Sequence, residues 1–409
     1  HRDTNVPHAL IIDAVRSPRG RANARGALHA LRPVSLLAQQ LQQLAQRTGI
    51  DTAAVTDTLM GCVTQTGEQG TNIAKLAVVS AGWSDAVSAL TLNRYCASGL
   101  TAVQFAAQQA LANDGLAVGG GLEMMSRVPM ASDQGPLTHD TALQAQTRLI
   151  PIGLAADTIA TLHGFSRAQC DDYALASQER ACHARAQGHF VSLTPALSED
   201  GQVLLAQDET PRDNTTLDSL TRMPSAFATL GAESGLDAML CARYQLQNIQ
   251  HVHHAGNSPA MADGASAVLV ASPQAAARLG LQARGRILAV ADAGVNHVLA
   301  LTGAVDATRK ALARAGLSVA DIDLFEVNES FAALMLHYMQ QLGVPHARLN
   351  TNGGTIALGH AMGATGGNLV GMAMDELERR HARYAVIAIC GAAGVAVAMV
   401  IERVQHQPH

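Results

Sequence analysis

Aromatic residues, lysine and charge are all scarce in this sequence of 409 residues. Aromatic side chains make up 3% of the chain and charged ones 15%, and the lysines are Lys75 and Lys310 alone. Hydrophobic residues reach 48%, so the composition predicts a well-buried protein whose core is built from small side chains. Because the length exceeds one ordinary hydrophobic core, we expect two or three substructures.

Other absences bear on location and partners. The formal net charge of −5 gives no electrostatic footprint for a nucleic acid. Runs of 18 uninterrupted apolar residues are missing, so we expect no membrane span. Residues 1–7 carry no apolar signal-peptide core, so we expect no secretory signal. The six cysteines lack CxxC spacing, which favours reduced thiols in a cytoplasmic enzyme over a disulfide framework: Cys62, Cys96, Cys170, Cys182, Cys241 and Cys390.

Predicted strands and helices alternate at both ends of the chain, which is typical of a layered α/β domain. The pattern near the C-terminus repeats the one near the N-terminus, so we predict an internal duplication of topology. The predicted strands are 10–15, 55–63, 89–92, 116–125, 287–293, 322–327, 384–390 and 395–403, and the predicted helices are 34–47, 72–81, 304–315, 330–342 and 363–380.

The middle of the chain, residues 126–250, follows a different pattern. It is polar, looped and helical, and residues 155–186 are strongly helix-prone. Such an insertion commonly covers a site built by the layered halves. The other interpretation is a packing or oligomerisation arm.

One cysteine stands where a strand gives way to a helix. Cys96 follows the strand-like residues 89–92, and the apolar positions from Leu100 to Leu111 recur at a helical period. A thiol at a helix N-terminus lies near unpaired N–H groups and the positive end of the helix dipole, which favours the thiolate. Cys96 is therefore a candidate nucleophile, against the alternative of a small buried apolar residue.

Three further clusters carry reactive side chains at turns. His360 lies in the glycine-rich stretch 352–367, Cys390 begins the turn 390–394, and Asn328 lies at a strand-to-helix junction. Glycines in such turns let the backbone approach a ligand closely.

Taken together, four motifs resemble those of the thiolase family, in the family's order and spacing. The cysteine signature appears as residues 93–100, N-E-A-F as Asn328–Phe331, G-H-P as Gly359–Ala361, and C-x-G-G-G as Cys390–Gly394. A single motif would be weak evidence, whereas four in register make coincidence very unlikely. Further similarity covers residues 8 to 403 and includes 13–18, 123–130 and 262–265.

The resemblance implies a thiolase-like α/β fold, in which duplicated βαβαβαββ halves form a layered α-β-α-β-α core with an inserted covering loop domain. It assigns residues 1–120 plus 251–272 to the N-terminal half. Residues 121–250 become the covering domain, and residues 273–409 the C-terminal half.

The resemblance also implies a reaction. Cys96 would attack a β-ketothioester, His360 would take its proton, and Cys390 would serve as the second acid and base. One oxyanion would be met by His360 with a water held by Asn328, and the other by the backbone N–H groups of Cys96 and Ala392.

CoA binding is the part of the resemblance that departs most from the family. Pro259 replaces a usual serine, for which Ser258 is the expected substitute, and a usual methionine is replaced by Ile152. In the covering domain an arginine position is Pro224, with Arg222 nearby. Ala361, Ala392, Ala393 and Asp306 are further departures. We expect Ser258, Ile152, Arg222, Phe331 and Ala361 to line the substrate and CoA channel.

The implied function is CoA-dependent cleavage of 3-ketoacyl-CoA to acetyl-CoA and a shortened acyl-CoA, as in fatty acid β-oxidation. The alternatives are a biosynthetic enzyme that joins two acetyl-CoA units and a non-catalytic acyl-CoA-binding homologue. CoA enters as a substrate, and no bound cofactor is expected. A homodimer or homotetramer and association with other β-oxidation enzymes are the expected assemblies.

A metal site is not expected. His251, His253 and His254 crowd a short strand-like segment, where alternation would put His254 on the face opposite the other two. The sequence around them offers no adjacent acidic or cysteine partner.

Overall fold

The computed structural model of the protein describes residues 6–406, so the outermost parts of the first and last predicted domains, 1–5 and 407–409, lie outside the described residues. The strands are β1 (Leu10–Arg16), β2 (Gly20–Arg21), β3 (Val55–Gly61), β4 (Ser88–Leu92), β5 (Leu116–Met124), β6 (Ala196–Leu197), β7 (Val203–Leu205), β8 (Ala262–Ala271), β9 (Gly285–Gly294), β10 (Leu324–Val327), β11 (Tyr384–Cys390) and β12 (Val395–Arg403). The helices are α1 (Pro33–Thr48), α2 (Ile73–Ser80), α3 (Ser98–Asn113), α4 (Pro136–His139), α5 (Thr141–Thr147), α6 (Ile152–His163), α7 (Arg167–Gln187), α8 (Leu217–Thr221), α9 (Ala228–Glu233), α10 (Leu236–Tyr244), α11 (Pro273–Arg278), α12 (Gly303–Ala315), α13 (Ala332–Leu342), α14 (Thr355–Leu358) and α15 (Met362–Arg379).

The main sheet has the same strand order at its two ends. The path is β10-β11-β12-β9-β1-β8-β5-β3-β4, with β2 paired to β8. The C-terminal half contributes β10-β11-β12-β9, and the N-terminal half contributes β1-β8-β5-β3-β4, which is the mirror order with one further strand, β4, at its edge. Leu349 forms a single parallel bridge to Phe325 of β10, in the place that β4 occupies beside β3. The two ends join where β1 pairs with β9 through Leu10–Arg286 and Ile11–Gly285.

Helices pack on the outer faces of both groups of strands, and two more helices lie between the groups. α1 and α2 pack outside the N-terminal strands, and α12 and α13 pack outside the C-terminal ones. Between the two groups of strands lie α3 and α15, whose apolar residues share one core with Ile387, Val397 and Met399. The fold is therefore the layered thiolase-like α/β architecture that the sequence predicts.

The predicted helix over 155–186 is two helices, because its middle contains end signals for one helix and a start signal for another. Gly164 ends α6 in the left-handed conformation, with φ of 68°. Ser166 then begins α7 with a capping box, since its side chain and that of Gln169 each accept the other's backbone N–H. Gly188 ends α7 in the same way as Gly164 ends α6.

Some predicted bounds also differ from the structure. The predicted domain boundary at residue 120 falls inside β5, which continues to Met124.

Among residues 6–406, no single helix is long and apolar enough to cross a membrane, although segments 141–163 and 167–187, bent by 118°, meet that test as a pair.

Candidate active site

Cys96 lies in a tight turn immediately before α3. Tyr95 holds a left-handed φ of 50°, and the Ser98 hydroxyl fixes the turn. That hydroxyl donates to the Tyr95 carbonyl at 2.5 Å and accepts the Arg94 N–H at 2.7 Å. The turn therefore holds Cys96 in one backbone orientation at the start of the helix.

Glycines bring the His360 loop to this turn, because they let the start of α15 cross the start of α3 at backbone contact. A Cβ on Gly99 would lie 2.5 Å from the Gly363 carbonyl oxygen, and a Cβ on Gly366 would overlap the Leu100 backbone nitrogen. Any larger residue at these positions would push the helices apart. His360 precedes Gly363 by three residues, and Cys96 precedes Gly99 by three, so the crossing brings their segments together.

His360 is buried and held at one ring nitrogen. Its Nδ1 lies 2.7 Å from the Thr365 hydroxyl oxygen. Its Nε2 is buried and has no hydrogen-bond partner among the described residues. When Nδ1 carries the proton and donates to Thr365, Nε2 keeps its lone pair free, as a general base requires. Gly359, with φ of 92°, provides the turn before it.

Cys390 and Asn328 meet at one hydroxyl group. The Cys390 Sγ lies 3.1 Å from Ser330 Oγ, and Asn328 Nδ2 donates to the same oxygen at 3.0 Å. Asn328 Oδ1 accepts the Thr355 hydroxyl at 2.9 Å. The Asn328 side chain is therefore fixed at both ends, with one amide hydrogen left over for another acceptor.

The Cys390 turn also contacts the Cys96 turn. A Cβ on Gly391 would lie 3.0 Å from Tyr95 Cβ and 3.3 Å from the Arg94 carbonyl oxygen. The structure thus places both predicted cysteines, from opposite ends of the chain, on adjoining loops.

Burial dominates the ionisation of the three reactive groups. The pKa of Cys96 is raised to about 12 by burial, and then by the charges that Cys390 and Glu123 can carry. Burial likewise raises the pKa of Cys390 to about 11, against the Ser330 hydrogen bond. The pKa of His360 is lowered to about 4 by burial and then by the Arg19 cation. Desolvation of the Cys96 thiolate thus opposes the stabilisation that is expected from the helix N-terminus.

Glu123 is a site residue to which the sequence interpretation assigned no role. Its buried carboxylate accepts the N–H groups of Val63 and Gly363 at 2.8 and 3.1 Å, and the Gln69 amide at 2.8 Å. It therefore fastens the start of α15 to the loop after β3. The signal available was an acidic residue inside an otherwise apolar strand, β5.

The predicted oxyanion donors lie on constrained backbone. Within residues 6–406, neither the Cys96 N–H nor the Ala392 N–H donates to another residue. Ala393, which follows, holds φ of 55°. Such a left-handed conformation costs an L-residue about 1–2 kcal/mol, so the alanine in place of a family glycine is tolerated with strain. Phe331 is similarly placed after Ser330, with φ of 73°.

Two of the predicted channel residues lie together under the covering segment. Phe331 is buried, and its ring packs edge-to-face on Phe227 with centroids 6.0 Å apart. Phe227 in turn fills the space where a Cβ on Gly153 would lie. Ile152 begins α6 and packs, half-buried, against the same core.

The other three predicted channel residues are dispersed. Ser258 donates its hydroxyl to the His254 carbonyl at 2.8 Å. Arg222 is mostly exposed and pairs with Asp218 at 2.7 Å. Ala361 is fully buried beside Gly264. A Cβ added to Gly264 would lie 3.2 Å from the Ala361 Cβ.

Two cavities lie outside the reactive cluster. One of about 190 Å³ adjoins the stretch that contains Ser258, and its lining includes Gly256, Ala260, Arg21 and Arg212. A larger one, of about 590 Å³, lies between α7 and the end of α15.

The predicted strand at His251–His254 is wrong, and so is the expectation that these residues have no acidic partner. The segment has no regular structure, and each imidazole lies 2.7 Å from a carboxylate of Asp157 or Asp171. Asp157 and Asp171 lie about 90 residues earlier, on α6 and α7, and Asp237, which also contacts His251 at 2.7 Å, lies 14 residues earlier, on α10. Among the described residues, no three His, Cys, Asp or Glu side chains are grouped to hold a metal ion.

Comparison with known proteins decides the family. The model of the thiolase N-terminal domain matches residues 9–238, and that of the thiolase C-terminal domain matches residues 281–403. The chain belongs to the thiolase family.

Similar thiolases cover the whole chain. The β-ketoadipyl-CoA thiolase of Escherichia coli is 37% identical over 422 residues, which span 97% of this chain and 99% of that protein. The 3-ketoacyl-CoA thiolase of Pseudoalteromonas translucida is 36% identical, with coverage of 97% and 99%. The 3-ketoacyl-CoA thiolase of Serratia proteamaculans is 35% identical, with coverage of 98% and 100%. This thiolase is therefore an acyltransferase that uses CoA for thiolytic cleavage.

Proposed function

We propose that this thiolase cleaves 3-ketoacyl-CoA thioesters through an acyl-enzyme on Cys96. The observation that supports this most strongly is the free Nε2 of buried His360 beside two cysteine turns brought together from distant parts of the chain. The crossing of α3 and α15 thus brings the segment of the proposed nucleophile to that of the proposed base, and the burial of His360 strengthens charge stabilisation there.

The first half-reaction follows from these groups. Cys96 Sγ attacks the C3 keto carbon of the substrate while His360 Nε2 takes the thiol proton. The C2–C3 bond then breaks, which leaves the shortened acyl group on Cys96 and the enolate of acetyl-CoA. The Cys390 thiol gives that enolate its proton. Burial raises the pKa of Cys96 and lowers that of His360, which favours a neutral thiol and a neutral imidazole before substrate binds.

The second half-reaction returns the enzyme to its starting state. The Cys390 thiolate accepts the proton of the incoming CoA thiol, whose sulfur attacks the acyl-enzyme. Cys96 leaves as a thiolate and regains its proton from His360. One oxyanion is met by the N–H groups of Cys96 and Ala392. The other is met by His360 and a water on the remaining amide hydrogen of Asn328. Each such donor contributes about 3–4 kcal/mol to the transition state.

The acyl group and the route of CoA are part of the proposal. Relatives named for β-ketoadipyl-CoA and for 3-ketoacyl-CoA are similarly identical to this chain, so both a dicarboxylic and a fatty acyl substrate are candidates. Ser258, Ile152, Arg222 and Phe331 are the proposed channel residues. The names of these relatives give no support to condensation of two acetyl-CoA units.

A substrate series tests the function. CoA-dependent cleavage would be measured on 3-ketoacyl-CoA compounds of increasing chain length and on 3-oxoadipyl-CoA. Mass spectrometry after brief exposure to an acyl-CoA should find the acyl group on Cys96, and none in Cys96→Ala. Cys390→Ala should still acquire the adduct but lose turnover. Absence of both cleavage and adduct would favour the non-catalytic acyl-CoA-binding homologue.

Assembly and location complete the proposal. We propose a homo-oligomer that pairs through the edge strand β4, because an exposed strand edge is a template for pairing. Leu90 on β4 is 37% exposed, and Leu76 and Val79 on the adjacent α2 are 45% and 58% exposed. Light scattering should give a dimer or tetramer, and Leu90→Lys should give a monomer. A cytoplasmic location and association with other β-oxidation enzymes are proposed from the family alone.

A further inference from the structure

The segment from His251 to Asn257 is anchored to the covering helices by buried ionisable side chains. His253 Nδ1 lies 2.7 Å from Asp157 Oδ1, and the His253 backbone N–H donates to that oxygen at 3.1 Å. His251 lies between Asp157 Oδ2 and Asp237 Oδ2, each at 2.7 Å. His253 and Asp157 are fully buried, so this is a built contact and not a surface pair.

The opposite side of the His253 ring fixes its protonation. Its Nε2 accepts the backbone N–H of Ala333 at 3.2 Å. Because that N–H can only donate, Nε2 must carry a lone pair. The proton therefore sits on Nδ1, where Asp157 accepts it, and His253 is a neutral imidazole with a defined tautomer.

Ala333 belongs to the first turn of α13, which lacks an ordinary cap. The N-cap residue, Phe331, makes no side-chain capping bond. Instead the N–H of Ala332 donates to the Asn257 carbonyl at 3.1 Å, and that of Ala333 donates to His253. The distant segment thus satisfies two donors that a Ser or Asp side chain would otherwise serve in part. The His253 ring also packs edge-to-face on Phe331, with centroids 5.3 Å apart.

The capped helix directly follows the loop that carries Asn328 and Ser330. Ser330 is the hydroxyl that Asn328 and Cys390 share, and Phe331, after it, is the left-handed residue. We infer that His253, oriented by Asp157, is a positioning residue that holds the Asn328–Ser330 loop against Cys390. This inference rests on the proposed function, since it assigns His253 a part in that reaction through Asn328.

Two substitutions separate the hydrogen bond from the volume of the ring. His253→Gln keeps an oxygen acceptor near the Nε2 position, whereas His253→Phe keeps a ring and removes the acceptor. Loss of an N-cap contact changes the equilibrium between the capped and the uncapped start of α13 about tenfold. We therefore expect about a tenfold lower kcat for cleavage in His253→Phe, an unchanged KM for CoA, and recovery of most of the rate in His253→Gln.

Asp237→Asn is the matched control, because it changes the same chain of hydrogen bonds at its outer end. It should leave kcat as in the wild type. The rate at which iodoacetamide alkylates Cys96 should be the same in all variants, since Cys96 is positioned by α3 and not by α13.

Several outcomes would overturn the inference. These are a wild-type kcat in His253→Phe, equal losses in the Gln and Phe variants, or a raised KM with kcat unchanged. Hydrogen exchange of the Ala333 amide tests the contact without turnover: it should be slow in the wild type and fast in His253→Phe. Should His253→Phe fail to fold, fast exchange of Ala333 in the wild type would refute the capping contact. Absence of cleavage by the wild type would refute the proposed function while leaving this exchange test intact.

Discussion

The substitution Gly366→Ala should damage the active site, although Gly366 carries none of the reactive groups. The added Cβ would overlap the Leu100 backbone nitrogen, and no side chain can rotate to make room. Overpacking typically costs 1–3 kcal/mol, and a rigid backbone contact belongs at the upper end. Replacing glycine in a helix returns about 1 kcal/mol, so we expect a net loss of about 2 kcal/mol in unfolding free energy.

In Gly366→Ala the rate of cleavage should fall by a larger factor than the equilibrium constant for folding. Separation of α3 from α15 moves His360 away from Cys96, and a displacement of about 1 Å can cost about a hundredfold in rate. The assays are denaturant unfolding at matched protein concentration, kcat for cleavage, and the rate of Cys96 alkylation.

Gly371→Ala is the control on the same helix. Its Cβ would lie 2.9 Å from the Ser192 Oγ, which donates to Asp375 at 2.8 Å, so the contact weakens one side-chain hydrogen bond and displaces no backbone. We expect stability within about 1 kcal/mol of the wild type and full activity. Equal stability and equal kcat for Gly366→Ala and Gly371→Ala would refute the reasoning that backbone contact at this crossing aligns the site.

Three further predictions use other contacts. Thr365→Val removes the partner of His360 Nδ1 and should lower kcat about tenfold at constant KM, whereas Thr365→Ser should restore it; equal rates in both would contradict the pairing. Alkylation of Cys96 by iodoacetamide should rise about tenfold per pH unit between about pH 7 and 10, because its pKa is about 12; a plateau below about pH 8 would contradict this. Arg16→Met removes the guanidinium that donates to both Asp208 oxygens, at 2.7 and 2.8 Å, and leaves the buried carboxylate with the Arg19 N–H at 2.8 Å. It should cost about 3–5 kcal/mol in denaturant unfolding; a loss under about 1 kcal/mol would show that the Arg19 contacts satisfy Asp208.

The layered fold could be predicted from the sequence because it depends on local patterns, and the proposed reactive residues follow from a resemblance carried by four motifs. Strand and helix periods repeat within a few residues, and the four motifs are short and contiguous. Predicted helix bounds were wrong where a single backbone angle sets them. Phe331 lies in the left-handed region, so α13 begins at Ala332 and not at residue 330. Similarly, the left-handed Gly164 divides the predicted helix over 155–186.

Long-range partners were the larger gap. The ionisation of Cys96 depends on burial, which the helix-dipole argument did not include. The histidines at 251–254 could not be interpreted without Asp157 and Asp171, and the role of Glu123 becomes visible only when Val63 and Gly363 converge on it. Which residues contact CoA depends on side-chain direction, and the dispersed positions of Ser258, Arg222 and Ala361 explain why motif matching alone did not define a channel.

Each of the four reactive loops contains at least one residue with a left-handed backbone, such as Tyr95, Phe331, Gly359 and Ala393. Such angles persist only where surrounding packing over-determines them. Transplanting the four motifs into a smaller scaffold would therefore carry over the chemical groups without the surrounding packing that holds these backbone angles and orients the groups. An engineer who wished to miniaturise this catalyst would have to retain the crossing helices, both sheet halves and the part of the covering segment that anchors His253 through Asp157.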